Sequence, residues 1–391
     1  MPVIDRIAQF HDELTAWRRD IHAHPELGFD EHRTAEAVAD KLQAFGLEVH
    51  RGIGKTGVVG RLRAGNSPRS VGLRADMDAL PIQETNAFAH RSRHDGRMHA
   101  CGHDGHTAML LGAAKYLAQT RNFDGTVHFI FQPAEEGLGG ADAMVKDGLF
   151  ERFPCETVFG MHNRPGLEVG RFAIRSGPAM AGGAFFDIEI VGRGAHGARP
   201  ESGVDPVVVA SHITTALQSI VSRNVRPVET AVLSVTQIHA GHAYNVIPER
   251  AVMRGTVRCF SKETMRLVEE RTRQIASGVA AGFGATAELD FRMPFPPLVN
   301  DETEAGFIAD IAAEVVGEEN VNRRGGQVMA SEDFSFMLNC VPGAYIQIGN
   351  GVGEGGCEVH NPGYDFNDAA LPFGASLFVR IAERKLARMT G

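Results

Sequence analysis

Residues 126–137 read TVHFIFQPAEEG. The first six are β-branched or aromatic apart from one His, which is the make-up of a short strand stopped by a turn. Two adjacent carboxylates, Glu135 and Glu136, follow where that strand ends. Similar strand-like runs stand at 57–63, 70–75 and 157–160, with helical periodicity between them. Ile4, Ile7, Leu14, Trp17 and Ile21 recur at helical spacing until Pro25, and 31–45 repeats the pattern as far as Gly46. Segments 107–119 and 139–147 are also helical in pattern. Strands alternating with helices predict an α/β fold, a mixed and mostly parallel sheet flanked by helices.

A change of texture at 176–184, SGPAMAGGA, opens a self-contained set of elements. Strand, helix, strand, strand, helix and strand are expected at 185–191, 205–223, 231–238, 251–258, 263–281 and 285–291. The order β-α-β-β-α-β is that of ferredoxin-like domains. The Pro-rich MPFPPLV at 293–299 closes it, and α/β texture then returns, with a strand at 344–348 and a last helix after Asp368. Each Gly/Pro segment alone would be an ordinary loop. Bracketing six elements, they read as a two-strand hinge. The expected organisation is therefore a catalytic domain of residues 1–182 and 295–391, with an inserted lid and dimerisation domain at 183–294.

The composition excludes several partners. The chain of 391 residues has 39 Lys plus Arg against 48 Asp plus Glu, a net charge of -9. It has no basic run, so the electrostatic footprint of a nucleic-acid or anionic-membrane binder is missing. No run of about 18 apolar residues is present to span a bilayer. Five Cys, an odd number, form no disulfide framework, and MPVIDRIAQFHDELTAW lacks the basic start and apolar core of a secretory signal, so a cytoplasmic location is the expectation. The 17 His are the anomaly.

Some of those His cluster. MHACGHDGHT at 98–107 holds Cys101, His103 and His106 within six positions, and Cys with His suits Zn and its late first-row neighbours. A buried thiol beside a capping His, or a Cys nucleophile activated by His, would give the same spacing. What separates these readings is the company the segment keeps. Asp76 and Asp78 end one strand, Glu135 and Glu136 another, and His162 a third, while His360 follows the strand at 344–348 after a Gly-rich loop. Ligands in open α/β sheets bind beyond the carboxyl ends of the strands. Adjacent carboxylates would repel unless a cation or a proton relieved them. One can bind a metal while its neighbour faces the water to be activated.

Taken with WRRDIHAHPELGF, LRADMDALP, GAHGARP, NVIP, ASEDFS and HNPGYDFND, these segments resemble the binuclear-metal amidohydrolases over nearly the whole chain. That family includes hippurate hydrolase, N-acyl-L-amino acid amidohydrolases and plant hydrolases of indole-acetic-acid–amino acid conjugates; aminoacylase and carboxypeptidase G are more distant. The resemblance implies two divalent metal ions per chain (Zn, Mn, Ni or Co) held by Cys101, His103, Glu136, His162 and His360, with Glu135 as general base. Asp76 and Asp78 would support the ligands from behind, and His106, His22 and His24 would be structural. In the inserted domain, His196 would polarise the scissile carbonyl, and Asn245 and Arg258 would hold the substrate carboxylate. Gly197 stands where relatives often have Ala.

The activity so implied is hydrolysis of the amide of N-acyl or N-aroyl amino acids to a carboxylic acid and a free amino acid. The substrate would be a small molecule and the enzyme a homodimer or higher homo-oligomer. Two alternatives stay open: a dipeptidase or carboxypeptidase using the same metals and base, and a non-catalytic metal- or ligand-binding protein.

Overall fold

A computed structural model describes residues 3–388, and the chain divides into two units. The first takes the chain up to Gly177, then Val299–Gly326 and the part from Asp333 onward; the second takes Pro178–Leu298 and Gln327–Glu332.

The first unit is built on a sheet whose spatial order is Glu48–Ile53, Gly57–Ala64, Gly125–Gln132, Ser70–Asp76, Thr157–Pro165, Gly343–Gly351, Phe172–Ala173 and Val321–Asn322. Ser70–Asp76 runs parallel to both neighbours, and Gly343–Gly351 runs parallel to Thr157–Pro165. Glu48–Ile53 and Gly57–Ala64 join antiparallel at one edge. The sheet is thus mixed and mostly parallel in its centre, as expected. Its central strands are apolar on both faces because both are covered: every residue of Gly125–Gln132 and Ser70–Asp76 is buried. The helix His103–Thr120 is buried over most of its length and packs against His11–Ala23 and Leu371–Lys385. Leu73, Leu110, Leu111, Phe129, Phe159 and Phe378 belong to the resulting core.

Three local expectations need correction. The N-terminal helical run is two helices, Asp5–Ala8 and His11–Ala23. The edge strand Glu48–Ile53 lies outside the expected elements; its exposed Glu48, Gly52 and Arg51 carry no apolar alternation to read. The strand expected to stop at Gly160 continues to Pro165, so His162 and Asn163 sit inside it.

In the second unit Gly182–Val191, Pro206–Ser219, Ala231–Ala240, Arg250–Cys259, Lys262–Gly282 and Thr286–Phe295 follow in the order β-α-β-β-α-β. The strands form one antiparallel sheet, ordered Ala231–Ala240, Arg250–Cys259, Gly182–Val191, Thr286–Phe295. Phe186, Ile188 and Ile190 share a core with Val209, Ile213, Leu217 and Val268 from the two helices. Asp205 and Ser261 cap those helices, each accepting a backbone N–H of the first turn. Among the described residues, no helix is long and apolar enough to cross a membrane.

Candidate active site

Register brings the chemistry of the first unit together. Asp76 lies opposite Gln132, and Arg74 opposite Gly160, so three parallel strands end on one edge of the sheet. Beyond that edge Cys101 Sγ is 3.3 Å from His162 Nε2. His162 donates its Nδ1–H to the Asn163 carbonyl (2.7 Å), which leaves the Nε2 lone pair facing the thiol. His103 likewise donates Nδ1–H to the Asp78 carbonyl (2.9 Å), and its buried Nε2 has no hydrogen-bond partner. Glu136 is anchored by its own N–H, which donates to Asp78 Oδ2 (2.9 Å). Its carboxylate meets His360 Nε2 at 3.1 Å. His360 has φ 63° and donates its N–H to the carbonyl of Ala100, next to Cys101.

Two donor groups result, and Cys101 belongs to both. The ligand atoms of Cys101, His103 and His162 all lie within 4.8 Å of one another, as do those of Cys101, Glu136 and His360. Glu135, buried beside them, forms a further such group with His103 and Glu136. Asp78 braces both sides, one oxygen near His103 Nδ1 (3.2 Å) and the other on the Glu136 amide. One thiol, three imidazoles and a carboxylate are a donor set for late first-row divalent ions, and a thiolate shared between two groups can bridge a pair. The bare, buried His103 Nε2 is the sort of atom such an ion satisfies.

Burial and neighbouring charges shift the groups of the cluster in different directions. Burial, with Glu136, pushes the Cys101 thiol well up. Burial, with His106, holds His162 down at about 3, so its ring is neutral and free to ligate. Burial also works against a cationic His103, but Asp76 and Cys101 outweigh it and raise that ring.

Asp76, His103 and His106 form another cluster of potential ligands, but His106 is already committed. Its Nδ1 donates to Asp76 (2.6 Å) and its Nε2 accepts the Asn163 N–H (2.9 Å). Asp76 is in turn tied to the buried Arg74 (2.7 Å), which also reaches Gln132 Oε1 (2.8 Å). Although burial opposes its charge, Arg74 and the two imidazoles hold the Asp76 carboxyl well below the usual range. Arg74 and Asn163 are structural partners that the motif reading assigned no role, although both lie beside residues it named.

In the second unit His196 and Asn245 are neighbours. His196 pairs with Val246 across two short strands, and the N–H of Gly197 donates to the Asn245 carbonyl (2.7 Å). A Cβ on residue 197 would come within 3.1 Å of that carbonyl, so glycine suits the close approach. His196 Nδ1 accepts the Ala198 N–H (3.0 Å), which places the ring proton on the exposed Nε2. Arg258 rests its guanidinium over Phe185 and donates to the Val257 carbonyl (2.9 Å). Among the described residues it has no carboxylate partner, and burial lowers its pKa.

Residues 72–384 match the family described as peptidase family M20/M25/M40. The chain belongs to that family. It is a hydrolase of the family's amidohydrolase branch. It is 45% identical to the hippurate hydrolase of Campylobacter jejuni over 386 residues, 99% of this chain and 100% of that one. With the N-acyl-L-amino acid amidohydrolase of Geobacillus stearothermophilus it shares 46% over 291 residues, 74% of this chain and 78% of the relative. Among solved structures, the Bacillus subtilis YxeP protein, described as a dinuclear metal-binding peptidase of the M20 family, superposes with a TM-score of 0.85 at 36% identity. That match covers 97% of this chain and 99% of the other.

Proposed function

We propose that this enzyme hydrolyses the amide bond of N-acyl and N-aroyl amino acids of the hippurate type, using two divalent ions. The observation that carries the reading is the pair of donor groups sharing Cys101, one completed by His103 and His162 and the other by Glu136 and His360. The names of the hippurate hydrolase and acyl-amino-acid amidohydrolase relatives support the substrate class. Divalent ions held there supply Lewis acidity, making a water more acidic and a carbonyl more electrophilic. Glu135 takes the proton of the attacking water on a carboxylate oxygen and returns it to the leaving nitrogen. Asp78 keeps His103 and Glu136 oriented, and Asp76 does so for His106. His196 directs its Nε2–H to the oxyanion as it develops. Arg258, unpaired by any described acid, receives the substrate carboxylate together with Asn245.

We read the second unit, with its β-α-β-β-α-β order, as a ferredoxin-like lid and dimerisation domain. Val207 and Val208, 42% and 43% exposed on a helix without charged side chains, favour a surface for a second copy. All five cysteines are free, which favours a reducing compartment such as the cytoplasm. The choice among Zn, Mn, Ni and Co is one of metal supply as much as affinity.

The test joins metal quantification to a substrate panel. About two ions per chain, reduced in Cys101→Ala, and cleavage of hippurate or N-acetyl amino acids ahead of dipeptides are expected. No bound metal after supplementation overturns the reading. Dipeptide preference turns it toward the peptidase alternative, and metal binding without turnover toward the non-catalytic one.

A further inference from the structure

Glu31 lies far along the chain from every proposed metal ligand and from Glu135, yet it reaches the segment that carries the two adjacent carboxylates. Its side chain is fully buried. One oxygen accepts the Thr56 hydroxyl (2.6 Å) and the other accepts the backbone N–H of Ala134 (2.8 Å). Ala134 directly precedes Glu135 and has φ 53°, a left-handed conformation that a side chain with Cβ seldom adopts. Such a residue persists only where its surroundings over-determine it. Here they do. The Ala134 N–H is taken by Glu31, and the Ala134 carbonyl accepts the Gly140 N–H (3.0 Å). Gly28 leaves room against Ala134 that a Cβ would close to 3.0 Å.

The next held amide is that of Glu136, taken by Asp78 Oδ2 at 2.9 Å. Glu135 therefore sits between two backbone amides, each fixed by a buried carboxylate: Glu31 before it and Asp78 after it. Asp78 also positions His103, so its part belongs to the metal cluster. Glu31 bonds instead to Thr56 and to the Ala134 amide. Its contribution is to the backbone just ahead of Glu135.

We infer that Glu31 is a positioning residue for the general base: its carboxylate fixes the left-handed turn at Ala134 and so aims Glu135 while Glu136 faces the metal side. The inference rests on the proposed roles of Glu135 and Glu136. A residue that merely ties helix to loop would affect stability; one that aims the base affects turnover at constant binding.

The experiment compares the full-length parent with Glu31→Ala, Glu31→Gln and Glu31→Ala/Ala134→Gly on the best-cleaved acyl amino acid, with metal content measured on each. Glu31→Ala lowers kcat by about ten- to a hundredfold, the scale of a small misplacement of a catalytic group, with KM and bound metal nearly unchanged. Glu31→Gln retains an oxygen that accepts the Ala134 N–H and keeps most of kcat. Adding Ala134→Gly recovers much of the loss, because glycine takes positive φ without penalty. If Glu31→Ala does not fold, Thr56→Val, which withdraws the hydroxyl orienting Glu31, replaces it and lowers kcat in the same sense. Unchanged kcat, a loss carried by KM or metal content, or no rescue by Gln or by glycine at 134 overturns the inference. Glu135→Gln is the control. If it is inactive while Glu31→Ala turns over normally, only the inference fails; if it retains parental activity, or the parent cleaves nothing, the proposed function fails first.

Discussion

Gly102 stands between Cys101 and His103, and replacing it with Ala tests whether backbone geometry there sets the site. Gly102 has φ 92° and forms the N-terminal cap position of the helix His103–Thr120. Two costs follow from adding a Cβ. The left-handed conformation costs a non-glycine residue about 1–2 kcal/mol. The new atom would also lie 2.3 Å from Asn163 Oδ1 and 2.6 Å from Tyr364 Oη. Neither neighbour is free to move, because Asn163 Nδ2 donates to that same hydroxyl and the Asn163 N–H is held by His106. Overpacking of this kind costs about 1–3 kcal/mol. The sum, about 2–5 kcal/mol, appears either as lost stability or as displacement of the 101–103 segment. Displacement separates Cys101 Sγ from His162 and weakens metal affinity by about thirtyfold to several thousandfold, at 1.4 kcal/mol per decade. Metal titration against a competing chelator, with melting curves of the apo and metal-loaded forms, measures both. Gly96→Ala is the control: it has φ 73° with nothing within 4 Å of the added Cβ, so it carries only the conformational cost. A Gly102→Ala protein that melts and binds metal like Gly96→Ala refutes the crowding argument.

Glu135→Gln is expected to lower kcat by at least about a hundredfold, with metal content unchanged by direct measurement; near-native turnover removes Glu135 from the mechanism. Arg258→Ala is expected to raise KM about ten- to a hundredfold, the worth of a charged hydrogen bond. An analogue with its carboxylate amidated should lose that sensitivity in a parallel assay. His22 tests pH dependence. Burial opposes its charge, but hydrogen bonds with Asp104 and Glu84 raise it from 6.5 to about 9. A raised folded-state pKa gives stability that is complete below pH 6.5 and lost as pH climbs through 9, about 3 kcal/mol in all. Melting temperatures should therefore fall between those pH values in the parent and much less in His22→Gln; equal slopes would exclude His22 as the source.

The central strands were legible because covering a sheet on both faces leaves apolar runs such as Val127–Phe131 bounded by turn residues. The edge strand Glu48–Ile53 was not, since solvent on its outer positions accepts charge. The strand Gly182–Val191 of the second unit was legible for a different reason: one of its faces is covered, so Phe186, Ile188 and Ile190 alternate with less buried neighbours. Within the site, Cys101, His103 and His106 advertise themselves by spacing, but spacing did not separate their parts. His106 differs from His103 because Asp76 and Asn163 occupy both its nitrogens. Glu31 gave no signal, as it reads as one more acidic residue entering a helix, and its partner Ala134 is 103 positions away.

Residue type alone determined which chemistry is within reach, because thiols, imidazoles and carboxylates are the side chains that bind such metals and exchange protons, while their surroundings tune how strongly. Strand ends placed the candidates on one edge of a sheet, which is a local matter of where apolar runs stop. Only the tertiary structure decided that Cys101 belongs to two donor groups, that His103 and His162 present their Nε2 atoms, and that a distant carboxylate fixes the turn before Glu135. Those are outcomes of contacts between segments far apart in sequence, and they decide which ring nitrogens are already taken by hydrogen bonds, as in His106, and which are not, as at His103 Nε2.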